Sequence, residues 1–290
     1  DQQMRGMDPL EILKQVVEVA HVPVAVAGGI NSETAAKCVE AGASIVIVGG
    51  AITKAENAEE ATRIIKEAML TRKPIVTKLY KKYHEEELYE VFMKVSTPNI
   101  SDALQRKGEM VGIMPVVSGV KAVGKAITVR TYPGDWAKPV EAIDVAKPGN
   151  IIVIDAAGGD KAVWGELATW SCVQKRVNGV VIDGAIRDVD EIRTLKFPAF
   201  AKKINPTAGD PKGFGEINIE ITCGGTKVRP DDWIIADDNG VMVVPKEMAV
   251  EIANRALDVL EKENRIREEI KQGSTLSKVL RLKKWEKVIG

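Results

Sequence analysis

Three charged residues lie within two glycine-rich segments in the middle of the chain. Arg187 and Asp188 end the segment GVVIDGAIRD, and Glu166 lies in WGELAT. The planar guanidinium of an Arg suits a carboxylate, and Asp oxygen atoms suit a hard cation such as Mg²⁺ or Mn²⁺. If Gly165, Glu166 and Leu167 open a helix, their N–H groups form a second binding point for an anion. These residue types predict a site for a small, metal-bound keto acid.

The same residues also permit a structural interpretation. Arg187 and Asp188 suit a surface ion pair, with Asp188 as the N-cap of a helix that begins near Val189. The pattern DGxxRD is short and has many false matches. The spacing alone therefore leaves the two interpretations about equal.

The segments around these residues indicate a parallel α/β unit. Residues 151–154 and 180–182 are short, apolar, β-branched runs, the pattern of strands that are covered on both faces. Residues 165–177 between them have helix-forming composition. A strand, helix and strand of this length predict parallel pairing with a right-handed crossover. Polar groups then collect at the carboxyl ends of the strands, where open α/β sheets bind ligands.

Composition excludes several classes of protein. The 290 residues are 45% hydrophobic, and Lys plus Arg and Asp plus Glu both number 41, so the net charge is about zero. This balance argues against a nucleic-acid partner or an anionic membrane surface. No apolar run is long enough to span a bilayer. The three cysteines are far apart and odd in number, which argues against a disulfide framework and favours a cytoplasmic location.

The two histidines lie far from the charged residues in sequence. His21 precedes a predicted strand, and His84 lies in a predicted linker. A Ser-His-Asp hydrolase and a His-ligated zinc enzyme both need imidazole in the site, so both are disfavoured. Mg²⁺ keeps several waters and needs only one or two carboxylates, which matches Asp188 as the metal ligand with indirect help from Glu166.

An ordered series of blocks extends this pattern along the chain. The blocks PGDWAKPVEAIDVAKPGNIIVIDAAGG, WGELAT, GVVIDGAIRD and ADDNGVMVVP resemble the family of the regulator of ribonuclease E activity and the class II 4-hydroxy-4-methyl-2-oxoglutarate aldolases, over about residues 85–273. The resemblance implies that Arg187 binds the pyruvyl carboxylate and that Asp188 holds a divalent metal. It also implies that Glu166 orients a metal-bound water. Trp136 stands where many members carry Asn.

The N-terminal segment shows a different pattern. A predicted helix is followed by a buried strand that ends in a glycine pair, then by a helix with Ser32 as its N-cap. A second strand follows and also ends in a glycine pair, and the two segments read VPVAVAGGINSETA and IVIVGGAITKAE. These two βα units resemble the C-terminal part of the (β/α)₈ barrel of 3-hexulose-6-phosphate synthase. Because the chain also does not begin with Met, we expect it to be the tail of a longer fusion protein or a cleavage product. On this resemblance the paired glycines would bind a sugar phosphate. In an incomplete barrel, however, we favour tight turns as their role. We expect this segment to lack synthase activity. The glycines are Gly28, Gly29, Gly49 and Gly50.

These resemblances define the expected domains and function. We expect a barrel fragment over residues 1–70, a basic linker over 71–84, and an α/β domain of the swivelling β/β/α type over 85–290. The resemblance implies a homotrimer or hexamer that acts as an aldolase or decarboxylase and forms a pyruvate enolate from a pyruvyl-containing keto acid. The alternatives are a non-enzymatic regulator of the ribonuclease type and one part of a bifunctional synthase fusion.

Some local predictions concern the surroundings of the site. Asp135 is expected either to reach the site or, more commonly, to bond its own turn. Asp160 and Lys161 follow a glycine pair at a loop that would face a ligand, but nothing indicates the desolvated pocket that a Schiff-base lysine needs. The loop NPTAGDPKGFG is expected near the site or at a subunit contact. Asn239-Gly240 predicts a hairpin turn, and residues 246–272 a long charged helix.

Overall fold

Short helices alternate with two short strands in the N-terminal part of the chain. The computed structural model describes residues 9–53, 55, 57–77 and 83–282. The elements of this part are α1 (Pro9–Val19), β1 (Ala25–Ala27), α2 (Ser32–Glu40), β2 (Ile45–Ile47), α3 (Gly50–Thr53) and α4 (Ala58–Thr71).

The strands β1 and β2 pair in parallel, with Val26 opposite Val46. The prediction that the first of them is a buried strand is wrong, because Ala25 and Ala27 are exposed. In β2, Ile45 and Ile47 are both more than half exposed. Only the alternate side chains face the cluster formed with the helices, so one face of this two-stranded sheet is open to solvent in the described part of the chain.

The N-cap of helix α2 lies one residue before the predicted one. Asn31, and not the predicted Ser32, is the N-cap, and its side chain accepts the N–H groups of Glu33 and Thr34 in a capping box. The Ser32 hydroxyl instead donates to the Ile75 carbonyl at 2.6 Å. The assignment of this region to a barrel fragment stays a prediction.

The rest of the chain carries the larger sheet. Its helices are α5 (Leu88–Lys94), α6 (Thr97–Ala103), α7 (Ala137–Val145), α8 (Glu166–Lys175), α9 (Val189–Thr194), α10 (Ala249–Lys271) and α11 (Leu276–Val279). Its strands are β3 (Met114–Pro115), β4 (Ala122–Thr131), β5 (Ile151–Asp155), β6 (Gly179–Ile186), β7 (Ala199–Ile204), β8 (Gly215–Ile217), β9 (Ile221–Cys223), β10 (Thr226–Val228), β11 (Trp233–Asp237) and β12 (Gly240–Val244).

The chain divides into two units. One consists of the described residues within Asp1–Glu85 and Leu257–Gly290, and the other of Glu86–Ala256. The second unit contains the whole eight-stranded sheet and every residue of the candidate site described below.

The large sheet is mixed and nearly closed. Its strand order is β12-β11-β4-β5-β6-β7-β3, with β8 paired to β4. The strands β4, β5, β6 and β7 are parallel, as the central strand-helix-strand pattern predicts, and β11 and β12 are antiparallel. The end strands β12 and β3 approach each other, which gives the sheet its barrel-like form. The fold is therefore a mixed α/β domain around a curved sheet.

The two faces of the sheet bury different side chains of the same strands. Ile152 and Ile154 pack outward with helices α7 and α8, whereas Ile151 and Val153 pack inward. All four are fully buried. Burying an Ile stabilises the fold by roughly 1.5–3 kcal/mol, so the apolar run that crosses both faces keeps the ends of β5 and β6 rigid.

The C-terminal hairpin forms as predicted with a turn shifted by one residue. Asp237 is opposite Gly240, so the two-residue turn is Asp238-Asn239 and not Asn239-Gly240. The Asp237 carboxylate accepts the Asn239 N–H at 2.9 Å, which stabilises this turn. Among the described helices, none combines the length and apolar character needed to cross a bilayer.

Candidate functional site

A cavity of about 280 Å³ lies where β6 ends and α8 begins. We call it the Arg–Asp cavity, because Arg187 and Asp188 follow β6 directly and both line it. Glu166, the first residue of α8, is also in the lining. The other lining residues are Trp136, Val140, Ala162, Val163, Trp164, Gly165, Leu167, Ala168, Ser171 and Ala208. The structure thus brings Glu166 to Arg187 and Asp188, which follow it by 21 and 22 positions in the sequence.

Backbone hydrogen bonds join the loop before α8 to the end of β6. The Val163 N–H donates to the Ala185 carbonyl at 3.0 Å, and the Arg187 N–H donates to the Trp164 carbonyl at 3.0 Å. These bonds pair residues 162–164 in parallel with the end of β6 and with Arg187. They fix where Arg187 leaves the sheet and where α8 starts.

The Asp188 carboxylate contacts the first turn of α8. Its Oδ2 accepts the Glu166 N–H at 3.2 Å and lies 3.5 Å from the Arg187 Nε. The partial positive charge of a helix N-terminus favours this carboxylate. One of the three N–H groups predicted to bind a substrate anion is therefore used by the protein itself. The Leu167 N–H, in the first turn, has no intrahelical acceptor.

Asp188 has an unusual backbone conformation. Its φ is +56° and its ψ is +37°, in the left-handed region, which Asp tolerates better than most residues. Such a conformation costs on the order of 1–3 kcal/mol and persists only where the surroundings enforce it. Here the bond from the Arg187 N–H to Trp164 fixes the preceding residue, and the bond from the Glu166 N–H holds the Asp188 carboxylate itself. Strain of this kind is typical of functional sites.

Gly165 is required by close packing. A Cβ at this position would lie 2.4 Å from the Asp188 Oδ2 and 3.3 Å from the Arg187 Cγ. Any larger residue would displace the carboxylate from the helix terminus. The glycine of WGELAT thus positions Asp188 as well as opening α8.

Both interpretations of the Arg-Asp pair have a counterpart in the structure. The helix α9 begins at Val189 with Asp188 in the N-cap position, and the ion pair with Arg187 is present. The Asp188 side chain makes no capping bond to α9. Because its carboxylate is directed to α8 and to the cavity, the capping interpretation accounts for its position but not for its contacts.

The geometry around Asp188 suits a hydrated divalent cation. In the described part of the chain, Oδ2 accepts the Glu166 N–H and no donor contacts Oδ1. The described residues contain no group of three or more His, Cys, Asp or Glu side chains that would enclose a metal. A cation here would take one protein carboxylate and fill its other positions with water and substrate, the manner in which Mg²⁺ is commonly bound.

The loop after β7 forms one wall of the cavity. The Trp136 indole N–H donates to the Gly209 carbonyl at 2.9 Å, next to Ala208 in the lining. The Ala162 N–H donates to the Thr207 carbonyl at 2.8 Å. The prediction that NPTAGDPKGFG lies near the site is thus confirmed for Ala208.

Asp135 anchors this loop from a buried position. Its carboxylate accepts the N–H groups of Ala137 at 3.1 Å, Lys212 at 3.1 Å and Phe214 at 2.9 Å. Burial by itself raises the pKa of the Asp135 carboxyl, but the backbone N–H donors outweigh it and hold the pKa below its usual value. Asp135 bonds the backbone of its own turn, as the commoner of the two expectations had it, and supports the wall indirectly.

Two lysines belong to a different cavity. Lys161 and Lys212 line a space of about 410 Å³, the lysine cavity, which shares no lining residue with the Arg–Asp cavity. Asp160 pairs with Lys203 instead of facing either cavity. The loop predicted to face a ligand therefore contributes Ala162 to the Arg–Asp cavity, but neither Asp160 nor Lys161.

The N-terminal glycine pairs lie at the ends of the parallel strands β1 and β2. Gly28 and Gly29 have φ values of +107° and +59°, which explains glycine at both positions. A Cβ at Gly28 or Gly49 would meet no atom within 4 Å, and Gly50 begins α3. The role of Gly28, Gly29, Gly49 and Gly50 as a phosphate cradle stays a prediction.

The apolar part of the Arg–Asp cavity was not predicted from the sequence. Val140, Ala162 and Ala208 come from three segments that are distant in sequence, and small apolar residues carry no signal of a site. Trp136, which also lines the cavity, did carry a sequence signal, because it stands where many members of the resembled family carry Asn. Its position next to the loop at Gly209 depends on tertiary packing.

Comparisons with known proteins cover the same region. A model of the RraA-like family Aldolase/RraA matches residues 97–243. An uncharacterized protein of Methanocaldococcus jannaschii is 43% identical over 196 residues, 66% of this chain and 93% of that protein. A protein of Halalkalibacterium halodurans, provisionally named 4-hydroxy-4-methyl-2-oxoglutarate aldolase, is 36% identical over 167 residues, 57% of this chain and 80% of that protein.

A solved structure shares the fold. Streptomyces coelicolor RraAS2, described as an unusual member of the RNase ES inhibitor RraA protein family, superposes with a TM-score of 0.59 and 25% identity. The match covers 64% of this chain and 100% of that one. The family match includes the ends of β5 and β6 and the start of α8, the elements that form the Arg–Asp cavity.

Proposed function

The chain belongs to the RraA-like family Aldolase/RraA, and from this premise and the geometry of the Arg–Asp cavity we propose that it is a divalent-metal-dependent carbon–carbon lyase. Its substrate is a pyruvyl-containing keto acid, and its product is the enolate of pyruvate. The provisional aldolase name of the Halalkalibacterium halodurans relative supports this class of reaction.

One observation carries the proposal. A guanidinium, a carboxylate with a free oxygen and the open N-terminus of a helix line one small cavity, at Arg187, Asp188 and Leu167. An α-keto acid needs the same three partners, which are a fork for its carboxylate, a cation for its chelating oxygens and donors for developing negative charge. The volume of about 280 Å³ is below the range of drug-sized ligand pockets, which fits a small acid.

The residues divide the reaction between them. Arg187 binds the carboxylate of the pyruvyl group, and the Leu167 N–H orients it. Asp188 would hold Mg²⁺ or Mn²⁺ through Oδ1, and the bound cation supplies a Lewis acid for the charge on the keto oxygen. Glu166, through a water molecule, accepts the proton of the C4 hydroxyl as the C3–C4 bond breaks. A proton delivered to C3 then completes pyruvate.

The proposal is tested by pyruvate release. Oxaloacetate and 4-hydroxy-4-methyl-2-oxoglutarate are supplied with Mg²⁺, with Mn²⁺ and with EDTA, and pyruvate is followed with lactate dehydrogenase. We expect release with either metal and none with EDTA. Decarboxylation of oxaloacetate is included because it passes through the same enolate. A folded protein that releases no pyruvate under any of these conditions would refute the lyase.

A regulatory role is the second candidate. The likeness to RraAS2, described within an RNase ES inhibitor family, favours it. A regulator needs an exposed binding surface and does not need Glu166, Arg187 and Asp188. Binding of a ribonuclease E-type enzyme that survives the replacement of all three residues, together with a negative pyruvate assay, would select this function.

We also propose that the chain assembles with copies of itself as a trimer or hexamer. Leu167, Trp170 and Val173 are exposed apolar residues at three-residue spacing, so they share one face of α8. Exposed apolar surface of this kind is typical of interaction sites. Light scattering would measure the mass, and Trp170→Glu is expected to reduce it. A monomeric wild-type protein would refute the assembly.

A further inference from the structure

A buried hydroxyl joins the first turn of α8 to the tryptophan before the helix. The Thr169 side chain is fully buried, and its Oγ1 donates to the Gly165 carbonyl at 3.0 Å. The Trp164 indole donates its N–H to the same Oγ1 at 3.0 Å, and Trp164 is only 3% exposed. The proposed lyase reaction uses neither of these side chains. Their bonds therefore need an explanation outside the chemical steps.

The chemistry of the groups fixes the direction of both bonds. An indole N–H only donates and a carbonyl oxygen only accepts, so the Thr169 hydroxyl accepts from Trp164 and donates to Gly165. The backbone N–H of Thr169 also donates to the Gly165 carbonyl, at 3.2 Å. The Gly165 carbonyl is thus held by two donors of one residue, and the indole holds one of those donors in place.

The Gly165 carbonyl belongs to the peptide unit that also carries the Glu166 N–H. A peptide unit is planar, and in its trans form the C=O and the N–H point in opposite directions. Because Thr169 holds the carbonyl, it also sets the direction of the Glu166 N–H, which leaves the end of the helix. That N–H donates to Oδ2 of Asp188 at 3.2 Å. Thr169 therefore acts on the Asp188 carboxylate through one rigid peptide.

Trp164 connects the same unit to Arg187. Its carbonyl accepts the Arg187 N–H at 3.0 Å, whereas its indole donates to Thr169. The first bond comes from the main chain and would survive a change of side chain. The second bond would be lost with any aromatic ring that has no N–H. The indole and the main chain of Trp164 can therefore be tested separately.

We propose, on the premise of the metal-dependent lyase function above, that Thr169 and the Trp164 indole are positioning residues of the site. They aim the Glu166 N–H at Oδ2 of Asp188, which leaves Oδ1 as the oxygen for the divalent cation. Thr169 itself is not part of the described cavity lining. Its effect on the cation passes through the Gly165–Glu166 peptide alone.

The affinity for Mn²⁺ in the absence of substrate tests this proposal without relying on turnover. Free Mn²⁺ is followed during a titration by electron paramagnetic resonance. Thr169→Val keeps the shape of the side chain and removes the hydroxyl, so we expect the Kd for Mn²⁺ to rise roughly tenfold or more. Thr169→Ser keeps the hydroxyl and removes a methyl group, so its Kd should remain near the wild-type value.

Thermal unfolding separates positioning from packing. Both Thr169 variants alter a fully buried side chain, so both should lower the unfolding midpoint, but only Thr169→Val should weaken Mn²⁺ binding. Because Thr169→Val leaves the buried indole N–H without an acceptor, it is also made together with Trp164→Phe, which removes that donor. The double variant should show the same rise in the Kd for Mn²⁺.

Thr194→Val is the matched control. The Thr194 hydroxyl makes the same type of bond, to the Asp190 carbonyl four residues earlier at 2.9 Å, at an exposed position of α9 outside the described lining. Its removal should leave the Kd for Mn²⁺ unchanged. An equal rise in the Thr194 and Thr169 variants would overturn the proposal.

Pyruvate release gives a second readout. In Thr169→Val the KM for Mn²⁺ should rise with the Kd, whereas kcat at saturating Mn²⁺ should change less. Wild-type affinity in Thr169→Val, or equal loss in Thr169→Ser, would overturn the inference while the lyase stands. A wild-type protein that binds Mn²⁺ but releases no pyruvate would refute the lyase alone, since the Kd series still decides the role of Thr169. Absence of Mn²⁺ binding by the wild type would overturn both.

Discussion

Glycine follows parallel strands in both units of the molecule, but the strand ends differ in what else they carry. After β1 come Gly28, Gly29, Ile30 and Asn31, none of them charged. After β6 come Arg187 and Asp188, which pack against Gly165, the residue that precedes α8. The strand β6 is buried along its whole length, whereas β1 and β2 are exposed at two of their three residues.

The difference explains why glycine is a poor guide to a site. At Gly165 a Cβ would collide with the Asp188 carboxylate at 2.4 Å, so the glycine is required by a charged neighbour. At Gly49 a Cβ would meet no atom within 4 Å. Glycine marks a functional strand end only where a charged group converges on it and a rigid, covered sheet holds that group in place.

The largest effect is expected from removing the charge at the end of β6. Asp188→Asn keeps a residue type that tolerates the left-handed backbone but loses the anionic oxygen for the cation. We expect metal-dependent pyruvate release to fall roughly 10³-fold or more. Asp190→Asn is the control, because its side chain is 99% exposed two residues away. Unchanged turnover of the Asp188 variant with added Mg²⁺ would reject Asp188 as the metal ligand.

Alanine substitutions compare the two glycine environments directly. Gly165→Ala displaces the Asp188 carboxylate, and we expect about a 10²-fold loss of pyruvate release and about 1–3 kcal/mol of stability. Gly49→Ala lies outside the left-handed region and meets open space. It should change the free energy of unfolding by less than about 0.5 kcal/mol and leave turnover intact. Similar effects at both positions would contradict the distinction between the two strand ends.

A smaller effect is expected from a substitution at Arg187 that keeps the positive charge but removes the planar guanidinium. Arg187→Lys replaces two parallel hydrogen bonds to the substrate carboxylate by a point charge. The KM for the keto acid should rise roughly tenfold, with kcat less affected. Arg63→Lys makes the same exchange at an exposed residue of the other unit and should leave KM unchanged. An unchanged KM in the Arg187 variant would remove the guanidinium from carboxylate binding.

The smallest effect is expected at Asp135, which anchors the loop that forms one wall of the Arg–Asp cavity. Because the pKa of Asp135 is lowered in the fold, its stabilising contribution is complete above the unfolded-state value of about 3.9 and is lost as pH falls through the folded-state value. Asp135→Asn should therefore be less stable than wild type at neutral pH, by roughly 1–3 kcal/mol. Urea unfolding across about pH 5 to pH 2 should show this difference shrinking. A difference independent of pH would show that the Asp135 charge has no part in it.

The predicted elements around the site were largely correct because their signals are local. The apolar runs at β5 and β6, the helix-forming segment of α8 and the start of α9 are each decided by neighbouring residues. The errors had physical causes that were not local. The strand β1 looks buried in sequence, but in the described part of the chain its sheet has two strands and is open on one face.

The Asp188 carboxylate shows the limit of local inference most clearly. The sequence predicted both a capping role and a metal-binding role, and spacing did not separate them. The side chain bonds to the helix that precedes β6 in the chain and makes no bond to the one that follows. Only the parallel pairing of β5 and β6 and the bonds from Val163 and Arg187 bring that earlier helix terminus to the carboxylate.

The sequence by itself determined the elements around the site, the α/β class and the identity of the three charged residues, because these follow from local periodicity and residue chemistry. The tertiary structure decided the apolar wall at Trp136, Val140 and Ala208, and the separation of Lys161 from the site. Those features depend on contacts between segments far apart in the chain. Such contacts are set by the packing of a whole sheet and not by any run of neighbouring residues.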